Sequence, residues 1–410
     1  MEPKIRFNNN CWQKHKVGDL CDLLTGYPFP GDKILKRGKN LLMRGINITE
    51  GIIRHSDEID RYYNEDTIGL EKYRLQVGDL VIGMDGSKVG KNSALVTSKE
   101  NNSLLVQRVA RLRNEDKNLI NLIQIAVGSD KFIKYVEEMK TSSAIPHISP
   151  ADIRNFPLSL PEDSNERRFI ASYFTSLDSQ ISASTSRLVS LKQVKAASLQ
   201  AMFPQEGETV PKIRFKGFEG EWKKVKLGGI AKFSKGQGYS KSDLKGTGHP
   251  IILYGRMYTK YQFAINEVDT FTNLKDACIL SEGNEIIMPA SGETPEDIAC
   301  ASAVLAKDII LGGDLNIMHF DLTKFSTAYI ALAITYSNTH YDLSKCAQGK
   351  SVVHLHNGAI SKATISIPSL AEQQAIASYF TSLDHQITLQ SQRLEKLKQI
   401  KSACLDKMFV

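Results

Sequence analysis

The nine residues IASYFTSLD occur twice in this 410-residue chain, at Ile170–Asp178 and again at Ile376–Asp384. The match extends without a gap from Glu166–Phe203 to Glu372–Phe409, where 22 of 38 positions are identical. The offset of 206 is half the chain, so the sequence is a tandem duplication and must fold twice on one plan. Neither copy contains Gly or Pro between those limits. Nothing therefore interrupts a continuous helix, which at 1.5 Å per residue would run roughly 55 Å.

Both copies carry apolar residues at helical spacing. The first presents Phe174, Leu177, Ile181, Leu188, Leu191 and Met202, and the second Phe380, Leu383, Ile387, Leu394, Leu397 and Met408. Such a stripe makes one dry face and one wet one. Ser184, Gln390, Lys195 and Lys401 fall on core-like rungs, where polar residues cost stability but can fix the register of partner helices. A helix of this length cannot bury its stripe alone. The obvious partner is the other copy, and the alternative is that each helix packs on its own globular half.

Composition bounds the class. A hydrophobic share of 41% and a charged share of 24% are ordinary for a globular protein, so two or three domains are expected from the length. No apolar run approaches the roughly 20 residues of a membrane span, and Met1-Glu2-Pro3-Lys4 begins no signal peptide. Six cysteines without a CxxC pair argue against zinc and against a disulfide framework, so a cytoplasmic protein is expected. A net charge of +7 is a mild basic bias compatible with nucleic acid.

Each half opens on the same marker, Pro3-Lys4-Ile5-Arg6-Phe7 and Pro211-Lys212-Ile213-Arg214-Phe215, followed by the chain's two tryptophans, Trp12 and Trp222. QKHKVGDL and KKVKLGGI then enter a first strand or short helix. The predicted class is α+β. The expected division is a body over 1–161, a helix over 162–204, a second body over 205–368 and a second helix over 369–410. In the first body, strands are expected at Lys39–Ile48, Asp79–Gly83 and Leu104–Leu112, a covering helix at Leu119–Met139, and a closing strand at Phe156–Pro161. The second body repeats this with Pro250–Tyr254, Asn284–Met288, Ser326–Ser337 and Ile365–Pro368, but with almost unrelated letters. One scaffold thus carries two different surfaces.

Motifs for catalysis are weak. No GxxxxGK[ST] phosphate loop is present, and Gly86–Asn92 has the wrong spacing for one. Phe233–Gly238 resembles a glycine-rich cofactor loop but aligns with the turn at Thr25-Gly26-Tyr27, so it is read as a turn. There is no Asn-Pro-Pro-aromatic methyltransferase tetrapeptide. His147 and His354 occupy matching loops without a matched nucleophile or carboxylate, which leaves loop bracing or DNA contact. Catalytic, metal and cofactor residues are accordingly expected to be none.

Polar loops rich in Lys, Arg, Gln, Asn and Ser suit a DNA surface, where cations neutralise phosphates and forked side chains read base edges. The candidates in the first body are Arg44, Asn47, Ser87, Lys88, Lys91, Asn92, Lys140, Ser142, Ser143 and His147. Those in the second are Lys235, Gln237, Lys241, Arg256, Lys260, Gln348, Lys350, Ser351 and His354. Acidic Glu293 and Glu296 occupy the loop matching the basic one at Gly86–Asn92. That loop either reads cytosine amino groups or stays off DNA, and the second is favoured.

The paired tails, RFIASYFTSLDSQI with LVSLKQVKAASLQAMF and QQAIASYFTSLDHQI with LEKLKQIKSACLDKMF, resemble the helical regions of the specificity (S) subunits of type I restriction-modification systems. Leu158–Pro161 and Ile365–Pro368 resemble the short strand and proline that precede them. The resemblance covers the whole chain and implies two pseudo-repeated α/β target recognition domains joined by two long antiparallel, coiled-coil-like helices. It implies a non-catalytic DNA-recognition and scaffold subunit, each domain reading half of a bipartite asymmetric site and the helices acting as a ruler between them. The implied partners are double-stranded DNA, two modification (methyltransferase) subunits carrying S-adenosylmethionine, and restriction (translocase/nuclease) subunits. The alternative is an orphan interaction module that captures modification subunits without reading DNA productively.

Overall fold

A computed structural model describes residues 12–86, 88–139, 146–349 and 352–408. The chain forms two compact units, one running to Thr185 and resuming at Gln392, the other Ser186–Ser391. Both boundaries fall inside the long tail helices, Ser164–Ala201 and Leu370–Met408, which are 38 and 39 residues long.

In each unit the first strand pairs antiparallel with the last. Trp12–Lys16 lies on Pro157–Pro161, and Lys223–Lys226 on Thr364–Ile367. The larger sheet of the first unit has the order Asp22–Thr25, Val109–Arg113, Leu80–Gly83, Ser93–Leu95. The second unit repeats it as Ala231–Lys235, Leu315–Phe320, Glu285–Pro289, Ser302–Val304, and adds Ala264–Ile265 at the edge. The central strands are buried along their length, which explains their unbroken apolar runs. A smaller sheet follows in each unit around one parallel pair: Asn40–Met43 with Leu104–Leu105, and His249–Ile252 with Lys307–Leu311.

The covering helix expected at Leu119–Met139 is two helices, Lys117–Val127 and Asp130–Met139, interrupted at Gly128-Ser129. Asp116 caps the first by accepting from the Asn118 and Leu119 amides. Its counterpart is likewise double, Thr327–Tyr336 capped by Ser326 and Asn338–Cys346 capped by Ser337. The strand expected at Leu104–Leu112 is also broken, at Arg108.

The glycine-rich stretch at Phe233–Gly238 is a backbone crossing. A Cβ on Gly236 would lie 1.9 Å from the Gly312 carbonyl oxygen, and one on Gly26 would lie 2.2 Å from that of Val106. No side chain fits at either place, so glycine recurs where the neighbouring letters have diverged.

Within the first unit, the start of the first tail helix packs against the end of the second. Phe174 and Met408 share a core with Leu80, Ile123 and Leu158, Tyr173 Oη lies 3.8 Å from Cys404 Sγ, and Lys401 Nζ meets Asp178 Oδ1 at 2.5 Å. The second unit repeats this with the roles exchanged. Met202 and Phe203 share a core with Phe380 and Leu383, Tyr379 Oη lies 2.9 Å from Ser198 Oγ, and Lys195 Nζ meets Asp384 Oδ1 at 2.5 Å. In both units the two helices therefore run antiparallel. Helix–helix and helix–body packing coexist, so the two alternatives left open by the sequence are both realised. Lys195 and Lys401, the lysines on core-like rungs, form the inter-helix ion pairs, which specify register more than stability.

The stripe is buried most deeply towards its two ends, with Met202 and Met408 only 4% and 1% exposed at the far one. Phe174 and Phe380 are fully covered and Leu177, Leu383 and Leu394 nearly so, whereas Ile181, Leu188, Leu191, Ile387 and Leu397 are half-buried. Glu166 and Glu372 are both 1% exposed at the same repeat position. Trp12 Nε1 donates to Glu166 Oε1 at 3.2 Å, whereas Glu372 takes a two-pronged guanidinium from Arg214 at 2.7 Å on each oxygen. Among the described residues no helix is long and apolar enough to cross a membrane.

Candidate nucleic-acid interface

Each unit carries an edge where three segments meet at the end of the larger sheet. In the first unit, Met84 N donates to the Arg108 carbonyl at 2.9 Å, and Ile148 N donates to that of Met84 at 2.9 Å. Gly86 N donates to Pro146 O at 3.1 Å, so Asp85 and His147 face each other across an antiparallel bridge. The edge displays the Asp85–Asn92 loop, His147, and Arg108, whose Nη1 pairs with Asp85 Oδ2 at 3.0 Å.

Lys88 and Lys91 are exposed on this loop, with Lys88 Nζ 3.8 Å from Glu50, a loose pair on an open surface. Asn92 and His147 are half-buried, and neither Asn92 Oδ1 nor His147 Nδ1 has a partner among the described residues. Ser87, Lys140, Ser142 and Ser143 lie outside the described residues, as do Lys350 and Ser351 of the second unit.

Asn47 does not belong to this surface. It is 1% exposed, its Nδ2 donates to Asp60 Oδ1 at 2.9 Å and to Arg54 O at 3.2 Å, and its Oδ1 accepts from Arg44 N at 3.3 Å. Both ends of the amide are thus committed, and no base edge can reach them. Asp60 in turn lies 3.1 Å from His55 Nδ1, while His55 Nε2 reaches Glu100 Oε1 at 2.9 Å. Burial raises the Glu100 pKa, but bonds from Thr97 and His55 outweigh it and leave the carboxyl below its usual value. Arg44 is half-buried; burial and the neighbouring Arg61 guanidinium lower its pKa, and its Nη1 reaches Ile59 O only at 3.4 Å.

The second unit builds the same edge. Ala290 N donates to the Asp314 carbonyl at 2.8 Å, Leu355 N donates to Ala290 O at 3.0 Å, and Ser291 bridges His354. His354 is exposed; its Nδ1 lies 3.1 Å from Ser291 Oγ, and its ring stacks on His356 at 6.2 Å. Gln348 holds the His354 backbone from the other side, at 3.0 Å and 2.7 Å. Beside Gln348, Gly349 has φ +135°, and a Cβ on it would lie 2.0 Å from Val352 O, so only glycine fits there.

Lys235 and Gln237 are exposed beside this edge, because Gly236 N donates to Leu315 O at 2.9 Å and Gln237 N to Leu311 O at 3.2 Å. Lys241 is exposed on the following turn. Arg256 does not belong to this surface. It is 8% exposed, ion-paired with Asp269, and its Nη2 donates to Gln262 Oε1 at 3.0 Å. Lys260 Nζ is held by the same Asp269 at 2.5 Å, and the Lys260 and Arg256 bonds push that carboxyl well below the ordinary range. Glu293 and Glu296 open instead into a pocket of about 450 Å³ shared with Tyr258, Cys300 and Tyr336.

Arg108 and Asp314 also stand at these edges and are not among the candidates read from the sequence. Neither is glycine, yet both have left-handed backbones, φ +66° and +58°. The available signal was a charged residue at the same repeat offset between two apolar strands.

Comparison with known proteins agrees with this architecture. The family model described as "Type I restriction modification DNA specificity domain" matches twice, over residues 9–193 and 219–399. The specificity subunit of the Escherichia coli type I restriction enzyme EcoAI is 29% identical over 161 residues, 38% of this chain and 27% of that relative. The chain thus aligns with about a quarter of that relative's length. Among solved structures, the type I restriction-modification S subunit of M. genitalium shares the fold with a TM-score of 0.63 at 15% identity, covering 100% of this chain and 99% of its own. A structure concerned with assembly of the type I system superposes with a TM-score of 0.51 at 16% identity, covering 99% of each chain. Two matched domains covering most of the sequence place it: the chain belongs to the type I restriction-modification DNA specificity family.

Proposed function

We propose that this chain is the non-catalytic DNA-reading and scaffold subunit of a type I restriction-modification complex, each unit reading one half of a split, asymmetric site in duplex DNA. The observation that carries this reading is one backbone edge built twice and furnished with different side chains. On it Lys88 and Lys91 in the first unit, and Lys235 and Lys241 in the second, reach phosphates; Asn92, His147, Gln237, Gln348 and His354 lie where base edges or sugars would come. Asn47 and Arg256 brace the loops behind them.

The tail helices hold the two readers and dock two modification subunits, which would supply S-adenosylmethionine and the methyl transfer; restriction subunits complete the assembly in the cytoplasm. Support for docking comes from Val189, Val194, Leu389 and Ile400, exposed apolar residues on the tail helices, of which Val194 and Ile400 are repeat equivalents. The test is methylation mapping of DNA from cells expressing this chain with its modification subunits. A motif with two fixed ends and a non-specific gap is expected. A complex that forms but marks no motif would move the orphan interaction module to the front.

A further inference from the structure

The turns at Arg108 and Asp314 coincide in every backbone feature. They lie 206 positions apart, each between a strand of the smaller sheet and a strand of the larger one; both have a non-glycine left-handed residue, and both offer their carbonyl to the strand that starts the reading edge, at 2.9 Å and 2.8 Å. A left-handed backbone is uncommon for residues other than glycine, least so for Asn and Asp, and residues held so concentrate at functional sites. Both side chains point to solvent, where core packing gives no reason for either choice. Their chemistry is opposite, a fork of donors against a pair of acceptors.

Their neighbours have changed in step. In the first unit Asp85 Oδ2 takes Arg108 Nη1 at 3.0 Å, leaving Nε and Nη2 without a partner among the described residues. In the second unit the place of Asp85 is held by Ser291, which turns to His354 at 3.1 Å. A carboxylate there would repel Asp314; serine does not. The Asp314 carboxylate has no partner among the described residues.

We propose that this shared turn is the base-reading position of both units, with Arg108 reading a guanine in one half-site and Asp314 accepting from a cytosine amino group in the other. Arginine matches the paired N7 and O6 acceptors of guanine, and a carboxylate matches the cytosine N4 donor. Asp85 is a positioning residue that fixes the free side of the Arg108 fork. The assignment rests on the DNA-reading function proposed above.

The test uses the complex of the full chain with its modification subunits and a duplex library randomised at each position of the mapped motif. Arg108→Gly and Asp314→Gly remove the side chains while relieving the left-handed backbone, so folding, checked by thermal melting, is kept. Each variant should relax a single position in its own half-site, guanine for Arg108→Gly and cytosine for Asp314→Gly, by about 5- to 150-fold, with the other half unchanged. Asp85→Asn should weaken the same guanine preference without altering any other position. An unaltered complex that reads a split motif, together with variants that keep every base preference or lose affinity equally for all sequences, would overturn the assignment and leave the DNA-reading function standing. An unaltered complex that marks no motif would overturn both.

Discussion

The two units share the backbone hydrogen bonds of their reading edges and almost no letters there. The Met84–Arg108 bond recurs as Ala290–Asp314, and the Ile148–Met84 bond as Leu355–Ala290. In the tail helices the reverse holds: the same letters return, and with them the same contacts, Lys401 to Asp178 and Lys195 to Asp384. Backbone bonds place few demands on side chains, so an edge held by amides and carbonyls is free to vary what it presents. A helix seam held by side chains is not.

That contrast can be broken where it should be strongest. Phe174 and Phe380 are equivalent and fully buried, each in the core of its own unit. Replacing either by alanine should destabilise its unit by about 3–5 kcal/mol. Denaturant melts of the two variants should show similar losses; a large loss for one alone would mean that the repeat is equal in sequence but not in energy.

Glu166 and Glu372 sharpen the comparison. Arg214→Ala strands a buried carboxylate that had a two-pronged partner and should cost about 3–5 kcal/mol. Trp12→Phe removes the donor that the described residues give Glu166 and should cost about 1–3 kcal/mol. Calorimetry checks each value; an unchanged melt for either variant would show that its carboxylate is satisfied without that donor. At the edges, Lys88→Ala with Lys91→Ala should lower the salt slope of DNA binding by about 2 while leaving base preference intact. An unchanged slope would remove that loop from the interface.

The smallest effect belongs to the inter-helix ion pairs. A double-mutant cycle on Lys195 and Asp384 should return about 0–1 kcal/mol, and the cycle on Lys401 and Asp178 the same. A coupling well above that range would make the pairs stabilising elements as well as register marks.

The frame was legible in the sequence because duplication prints it twice. The helices, most strands and the turn at Gly236 follow from periodicity and from letters that recur at offsets of 206 to 210. The surface was less legible. Asn47 and Arg256 have the chemistry of base readers, but their heads are consumed by Asp60 and Asp269, and only three-dimensional proximity reveals that. Arg108 and Asp314 escaped notice for the opposite reason, since a left-handed backbone at a non-glycine residue leaves no mark in composition. The unit boundaries were hidden too, because nothing in an uninterrupted helix shows where its packing partner changes.

Met408 closes the core of the first unit, hundreds of positions from the strands it covers. The order in which this protein is synthesised is therefore not the order in which it can be finished. Until the end of the second tail helix has emerged, the core of the first body lacks Met408 and the Cys404 and Leu405 contacts beside it. A lesion at that end, such as Met408→Ala, should be felt first at the opposite end of the sequence, as early melting of the body that was made first.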